Sequence, residues 1–318
     1  MSKTPLASGF DLQWTVFSAC GLSDSVVENY HHGSPEQIHQ AFAAGWVRVN
    51  DRLVYSEQAL VPGDRVQLWL PSHIEADVDI QWHLLWKRHD LMVVHKPAGL
   101  PVSRTTRNLF NTLISLVRRA TQYKEAHLLH RLDAETSGLM VLANHSHADK
   151  RYKKHLDRLM IGKVYHALVW GDPDWNELDF GCYLAERLDS PIRTQMHVVD
   201  EHEADTRHTP KWSQTQFSVL RRYGAYTLVS CRLQSGRKHQ IRAQLAHLGH
   251  AIIGDKIYSQ EGRYYLARLT RDLTEQDVVE LGAPHHLLHA YELQLQFAGE
   301  THCWRDEEYP AAWQTYVA

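Results

Sequence analysis

Cysteine is scarce in this chain: four in 318 residues, Cys20, Cys182, Cys231 and Cys303, with no Cys-x-x-Cys pair. That spacing excludes a disulfide framework and a cysteine zinc site, and suits idle thiols in a reducing compartment. Long apolar runs are missing too. No stretch approaches the ~20 residues that span a bilayer, and Met1-Ser2-Lys3-Thr4-Pro5 has no signal-peptide core. The expected location is the cytoplasm, with no membrane partner. Nor is there a surplus of positive charge: 34 Lys and Arg against 37 Asp and Glu give a formal net charge of -3. A general basic field of the kind that gathers nucleic acid is therefore absent, and the 23 histidines add charge only below about pH 6.5. Internal repeats and low-complexity segments are absent as well. His285, His286 and His289 lack a Glu-x-x-His companion or a remote cysteine set. No metal and no cofactor is expected, which disfavours a metal-dependent hydrolase.

What is present is a globular composition, 43% hydrophobic and 22% charged, and enough length for one large and one small domain. Lys150, Arg151, Lys153, Lys154 and Arg158 crowd one segment, while Asp306, Glu307 and Glu308 sit near the end. Such a basic cluster suits a solvated helix face as well as a polyanion. Ser34-Pro35-Glu36 reads as a helix start, with Ser34 the cap and Ile38, Phe42 and Trp46 on one apolar face. Val47-Arg48-Val49, Asn50-Asp51 and Arg52-Leu53-Val54 read as a small hairpin. Pro62-Gly63-Asp64 turns the chain into an alternating strand over 65–70. These elements delimit a small domain, residues 10–72, and Pro71-Ser72-His73 begins the linker to a larger one, residues 80–318. There, 84–86 and 91–95 are expected strands around an Arg88-His89-Asp90 turn. Residues 109–120 and 148–160 are expected helices, 163–170 and 226–233 strands, and 293–297 the last strand. Residues 181–211 read as polar and irregular.

The stretch that organises the chain is His130-Arg131-Leu132-Asp133-Ala134-Glu135-Thr136-Ser137-Gly138-Leu139-Met140-Val141-Leu142-Ala143. Two charged side chains, Arg131 and Asp133, stand two apart just ahead of a Thr-Ser-Gly turn and a continuous apolar run that reads as a buried strand. A carboxylate beside such a strand is costly unless it has charged or hydrogen-bonding partners. Taken alone, Asp133 could be a general base or a nucleophile, but an Asp ahead of a Ser/Thr turn is more commonly a turn or capping residue.

This stretch resembles the central motif of the RluA-type RNA pseudouridine synthases, Arg-Leu-Asp followed by Thr-Ser-Gly-Leu. Lys96-Pro97-Ala98-Gly99-Leu100 resembles the family's first motif, and Gly162-Lys163-Val164-Tyr165-His166-Ala167-Leu168-Val169 its tyrosine strand. Gly236-Arg237-Lys238-His239-Gln240-Ile241-Arg242 is similar to its Gly-Arg-Thr-His-Gln-Ile-Arg signature. Leu248-Gly249-His250, Gly254-Asp255-Lys256-Ile257-Tyr258 and Leu288-His289-Ala290 follow in the family's order. Residues 84–298 carry the likeness, which thins over 181–211. The first domain resembles a degenerate S-four-like RNA-binding domain, without a clean counterpart of that domain's first helix before residue 34; the alternative is a small packing domain.

The resemblance implies an α+β fold, a largely antiparallel sheet flanked by helices, preceded by a small α/β S-four-like domain. It implies an isomerase that breaks the uracil–ribose bond, turns the base and rejoins it through carbon in a ribosomal or transfer RNA, with no obligate protein partner evident. Asp133 is then the catalytic aspartate, adding to the uracil ring or assisting loss of the base at the ribose. Arg242 holds it ionised. Tyr165, from spacing alone a core tyrosine, stacks on the target base. Arg131 fills the gap left by the flipped uridine. Lys96 and Lys163 contact RNA phosphate or pair with carboxylates, and Arg237 is an RNA contact or structural. His289 is structural in this likeness. The alternative is a non-catalytic RNA-binding protein or RNA chaperone on the same scaffold.

Overall fold

The computed structural model describes residues 9–30 and 34–317; residues 1–8, part of what reads as a loose terminus, lie outside the described residues. Ser34 is the cap expected, and Gln37 completes a capping box with it, Gln37 N donating to Ser34 Oγ at 3.3 Å and Ser34 N to Gln37 Oε1 at 2.9 Å. The helix Pro35–Ala43 that follows buries Ile38 and Phe42. Asn50 and Asp51 both take positive φ, 50° and 65°, the mirror-image turn that matches the twist of a two-residue hairpin. These elements pack on a four-stranded antiparallel sheet in the order Phe10–Thr15, Arg65–Leu70, Val47–Val49, Arg52–Leu53. A helix over Leu22–Asn29 precedes Ser34 and was not anticipated. Its apolar residues are few, but Leu22 and Val26 are buried and Ser25 receives the Trp14 indole N–H at 2.8 Å.

The linker is fastened. The Glu75 carboxylate accepts the backbone N–H groups of Leu109, Phe110 and Asn111 at 2.6, 2.5 and 2.7 Å. Phe110 thereby enters the first core and stacks on Phe10, centroids 5.6 Å apart. This is why the helix expected over 109–120 starts only at Leu113, with Thr112 as its cap. The helix expected over 148–160 is likewise broken, into Ser146–Lys153 and Leu156–Leu159.

The larger sheet runs, among the described residues, through His197–Val199, Glu177–Ala185, Lys211–Arg222, Tyr226–Leu233, Met160–Trp170, Leu288–Phe297, Ser137–Ala143, Leu91–Lys96 and His83–Arg88. Two strands flank that path: Glu300–Arg305, which folds back on the strand expected to be last, and His127–Leu128. With helices against it, this is the mixed, largely antiparallel architecture expected. Part of the stretch read as irregular is strand, up to Ala185.

The pairing of Ser137–Ala143 with Leu288–Phe297 is parallel, and it places the site. All seven residues of Ser137–Ala143 are buried. Met140 and Leu142 face one core while Leu139, Val141 and Ala143 face the other, the period-2 division of a central strand. The strand begins at Ser137, so the Thr-Ser-Gly sequence is not itself the turn; the turn lies one step earlier, where Thr136 N donates to Asp133 O at 3.1 Å. Gly138 (φ +106°) lies so close to its neighbour that a Cβ would stand 2.5 Å from Ala290 O and 2.7 Å from Ala290 N. A side chain there meets both a disfavoured φ and an immovable backbone. Gly138→Ala is therefore expected to cost about 2–4 kcal/mol, read as a lower urea midpoint; an unchanged midpoint would show that the two strands part more easily than their packing implies.

Candidate active site

Asp133 sits in the loop that feeds the central strand, and its surroundings hold that loop from below. The Lys96 ammonium donates to three carbonyls, Pro97 at 2.9 Å, Leu100 at 2.9 Å and Ala134 at 2.8 Å. Lys96 is fully buried. Burial pushes its pKa down to about 7, against the attraction of Asp133 and Glu135. All three donors are spent on backbone carbonyls, so Lys96 staples the loop, where the sequence left open a phosphate contact or a carboxylate pair. Thr136 Oγ1 meets His286 Nε2 at 2.7 Å and Ser137 Oγ meets His289 Nδ1 at 2.9 Å. Lys256 binds both oxygens of Glu135 at 2.9 Å.

The partner of Asp133 is the expected one. Arg242 Nη1 donates to Asp133 Oδ2 at 2.7 Å. Arg242 lies on the short helix Gln240–His247, entered through His239 in the left-handed region (φ 53°). That conformation is costly for a non-glycine residue, and the His239 ring is tied to the Tyr258 hydroxyl at 3.1 Å. Sequence reasoning missed what aims the guanidinium. Asp255 grips it with both oxygens, Nε to Oδ2 at 2.6 Å and Nη2 to Oδ1 at 2.9 Å. Asp255 is itself held by the N–H groups of Ile257 and Tyr258 at 3.0 and 3.1 Å. The available signal was a carboxylate placed directly after Ile252-Ile253-Gly254, an apolar run and a glycine.

One cation thus serves two carboxylates of different standing. The Asp255 side chain is 0% exposed and that of Asp133 is 32% exposed. Burial works against the charge on each, but the Arg242 guanidinium outweighs it and holds both carboxyls well below the usual carboxylate range. Asp133 Oδ1 has no hydrogen-bond partner among the described residues, so the open carboxylate keeps one oxygen free toward the cleft. His239 Nε2, 3.9 Å from Asp133 Oδ2, is neutral at pH 7, because burial and then Arg242 push its pKa down to about 3.

The cleft beyond Asp133 encloses about 1400 Å³ and is lined by Arg131, Lys163, Tyr165, Arg237 and Arg242 among others. Tyr165 reaches it from Met160–Trp170, where register with the facing strand shifts between Val164 and Tyr165, Tyr291 being the extra residue opposite; such a bulge re-aims side chains. Burial and the Asp133 charge raise the phenol's pKa well above 10, so it stays protonated. Lys163 is half-buried with no carboxylate partner among the described residues, and burial lowers its pKa. Arg237 is exposed at the rim, its Nε fixed on Trp212 O at 2.9 Å. Arg131 is exposed beside Asp133 without an ion pair among the described residues. Of the seven residues singled out from sequence, six share this cleft and Lys96 lies beneath it.

Residues 90–247 match the family model described as RNA pseudouridylate synthase. The ribosomal large subunit pseudouridine synthase D of Pseudomonas aeruginosa is 30% identical over 271 residues, 79% of this chain and 78% of that protein. A protein of Aquifex aeolicus described as an uncharacterized RNA pseudouridine synthase is 31% identical over 250 residues, 74% of this chain and 76% of that one. Among solved structures, human RNA pseudouridylate synthase domain containing 1 superposes with a TM-score of 0.56 at 21% identity, over 73% of this chain and 86% of that one. At that identity the likeness speaks for the fold.

The depressed pKa values of Asp133 and Asp255 set a pH dependence. Each carboxylate contributes stability that is complete above its unfolded pKa of about 4 and is lost as pH falls toward its folded value. Wild-type thermal midpoints should therefore drop steeply below about pH 4. Asp255→Asn removes one such contribution and breaks a buried pair, at a cost of about 3–5 kcal/mol near neutrality. Its midpoint should be lower at pH 7 and should fall less steeply in acid. Parallel curves would mean that Asp255 is not an anion in the folded protein.

Proposed function

Because this chain belongs to the family of RluA-type RNA pseudouridine synthases, we propose that Asp133 is its catalytic residue, with Arg242 and Tyr165 in support and Arg131, Lys163 and Arg237 on the RNA. The enzyme is an isomerase acting on RNA. The ribose C1′–N1 bond of a uridine breaks, the uracil turns, and a C1′–C5 bond forms; C5 loses its proton and N1 gains one, so nothing is added or removed overall.

The observation that carries the reading is the inequality of two carboxylates that share one guanidinium: Asp255 is sealed and Asp133 is open. An anionic oxygen facing the cleft serves attack on the uracil ring and assistance to base departure at the ribose alike. Arg242 keeps that oxygen ionised and fixes its direction, so orientation is in place before substrate arrives. Tyr165 offers a flat ring for the base and a phenolic proton beside it. Arg131, planar and cationic, takes the place of the uridine drawn out of its stack. Lys163 and Arg237 hold flanking phosphates. A non-catalytic RNA-binding protein has no use for a carboxylate maintained as an anion against burial.

Large-subunit ribosomal RNA is the favoured substrate over transfer RNA, since relatives bear that substrate in their names. Residues 10–72, an S-four-like unit ahead of the catalytic domain of residues 80–318, add contact with that RNA, and the work is done in the cytoplasm. Pseudouridine mapping of total RNA from cells with the gene intact, deleted, or carrying Asp133→Asn tests this. We expect a site in large-subunit ribosomal RNA to vanish in both altered strains. Purified Asp133→Asn should lose at least about 1000-fold in rate, on the order of 4 kcal/mol. Survival of every site after deletion would sink the assignment.

A further inference from the structure

Asp133 is open on two sides. Besides the cleft that holds Tyr165, a second depression of about 420 Å³ meets it from across the loop, lined by Arg104, Arg131, Glu135, Lys256, Tyr265 and Arg268 among others. Asp133, Arg131, His239 and Arg242 border both spaces, so the Arg131–Asp133 loop is a sill between two hollows and not the end wall of one.

The charges in the second hollow do not balance. Its two carboxylates are engaged, Asp133 by Arg242 and Glu135 by Lys256. Arg268, 35% exposed, only grazes Glu135, at 3.4 Å. Arg104 and Arg131 are exposed and have no carboxylate within ion-pair distance among the described residues. Arg104 also stands near enough to Arg118 to lower its pKa, after the larger effect of burial. Cations outnumber carboxylates here, Arg104, Arg131, Arg242, Lys256 and Arg268 against Asp133 and Glu135, in a protein whose formal net charge is -3. Tyr265 adds a half-buried ring with the Arg268 guanidinium 5.8 Å from its centroid, an arrangement suited to a stacked base.

We propose that this second hollow is an RNA-backbone subsite: the strand carrying the target uridine crosses the sill, with one flank against Lys163 and Arg237 and the other against Arg104 and Arg268. The inference rests on the assigned reaction for its substrate class, but its test does not require turnover. A polyanion that neutralises a cation releases counterions, so each phosphate contact adds about 0.7 to the slope of log K against log salt for a single strand.

The experiment measures binding of a labelled single-stranded oligouridylate across a salt series to the full-length wild type, Arg104→Gln and the double variant Arg104→Gln/Arg268→Gln. Arg104 is exposed and bears no structural hydrogen bond among the described residues, so its variant should fold normally. The expected result is a slope shallower by about 0.7 for the single variant and about 1.4 for the double. On unmodified large-subunit ribosomal RNA, KM should rise severalfold with kcat nearly unchanged. Slopes equal to wild type in both variants would overturn the subsite. If the wild type converts no RNA, the assigned reaction fails, while the binding slopes still decide the subsite on their own.

Discussion

The chain Asp255–Arg242–Asp133 is the constraint on which the site depends. A guanidinium presents several donors in a fixed fork, and here the fork is divided unequally. Two donors go to a fully buried carboxylate and one to a half-buried carboxylate. The division matters more than the pairing. Had Arg242 gripped Asp133 with both nitrogens, that carboxylate would be neutralised and both its oxygens occupied. With Asp255 taking the bidentate grip, Arg242 is aimed before it meets Asp133, and the trio keeps a net negative charge directed at the cleft. Lysine in place of Arg242 offers a point charge without the fork, and so cannot serve two carboxylates in fixed directions.

A carboxylate aimed this closely requires a rigid loop, and the loop is held at each step. Lys96 fastens Ala134, Lys256 fastens Glu135, His286 fastens Thr136 and His289 fastens Ser137. Gly138 then admits the parallel strand at backbone distance. Consecutive residues are thus tied to groups far away in sequence, so a change beneath the loop is transmitted to Asp133 without touching it. This also explains the place of buried Lys96, which serves the loop. Its ammonium has no donor left to give.

Legibility in the sequence followed the same division. Features set by local chemistry were readable: the Ser34 cap, the Asn50-Asp51 hairpin, the unbroken apolar run of the central strand, and the residues of the cleft, which a family resemblance brought together. Features set by remote partners were not. No local signal says that residues 109–111 wrap around Glu75 instead of beginning a helix, because that carboxylate lies more than 30 residues earlier. Nor does a lysine's sequence context say whether its three protons meet solvent, a carboxylate or three carbonyls, so the carbonyl partners of Lys96 were not foreseen. Asp255 was quoted within a motif and given no role, since a supporting carboxylate and a reacting one look alike until exposure tells them apart.

Exposure also resolves the tension between an acidic chain and a polyanionic substrate. A net charge of -3 offers no long-range attraction, and many surface cations are already neutralised at close range, as Lys153 is by Asp149 and Arg222 by Asp172. Among the cations of the described residues without such partners, Lys163 lies on one side of Asp133 and Arg104 and Arg131 on the other, along the strand path proposed above. Screened by salt over ~8 Å, charge of this kind acts on a backbone already in place and not on one at a distance. On the proposed path, recognition therefore rests on the fit of a folded RNA to two hollows and a sill, more than on affinity for phosphate in general.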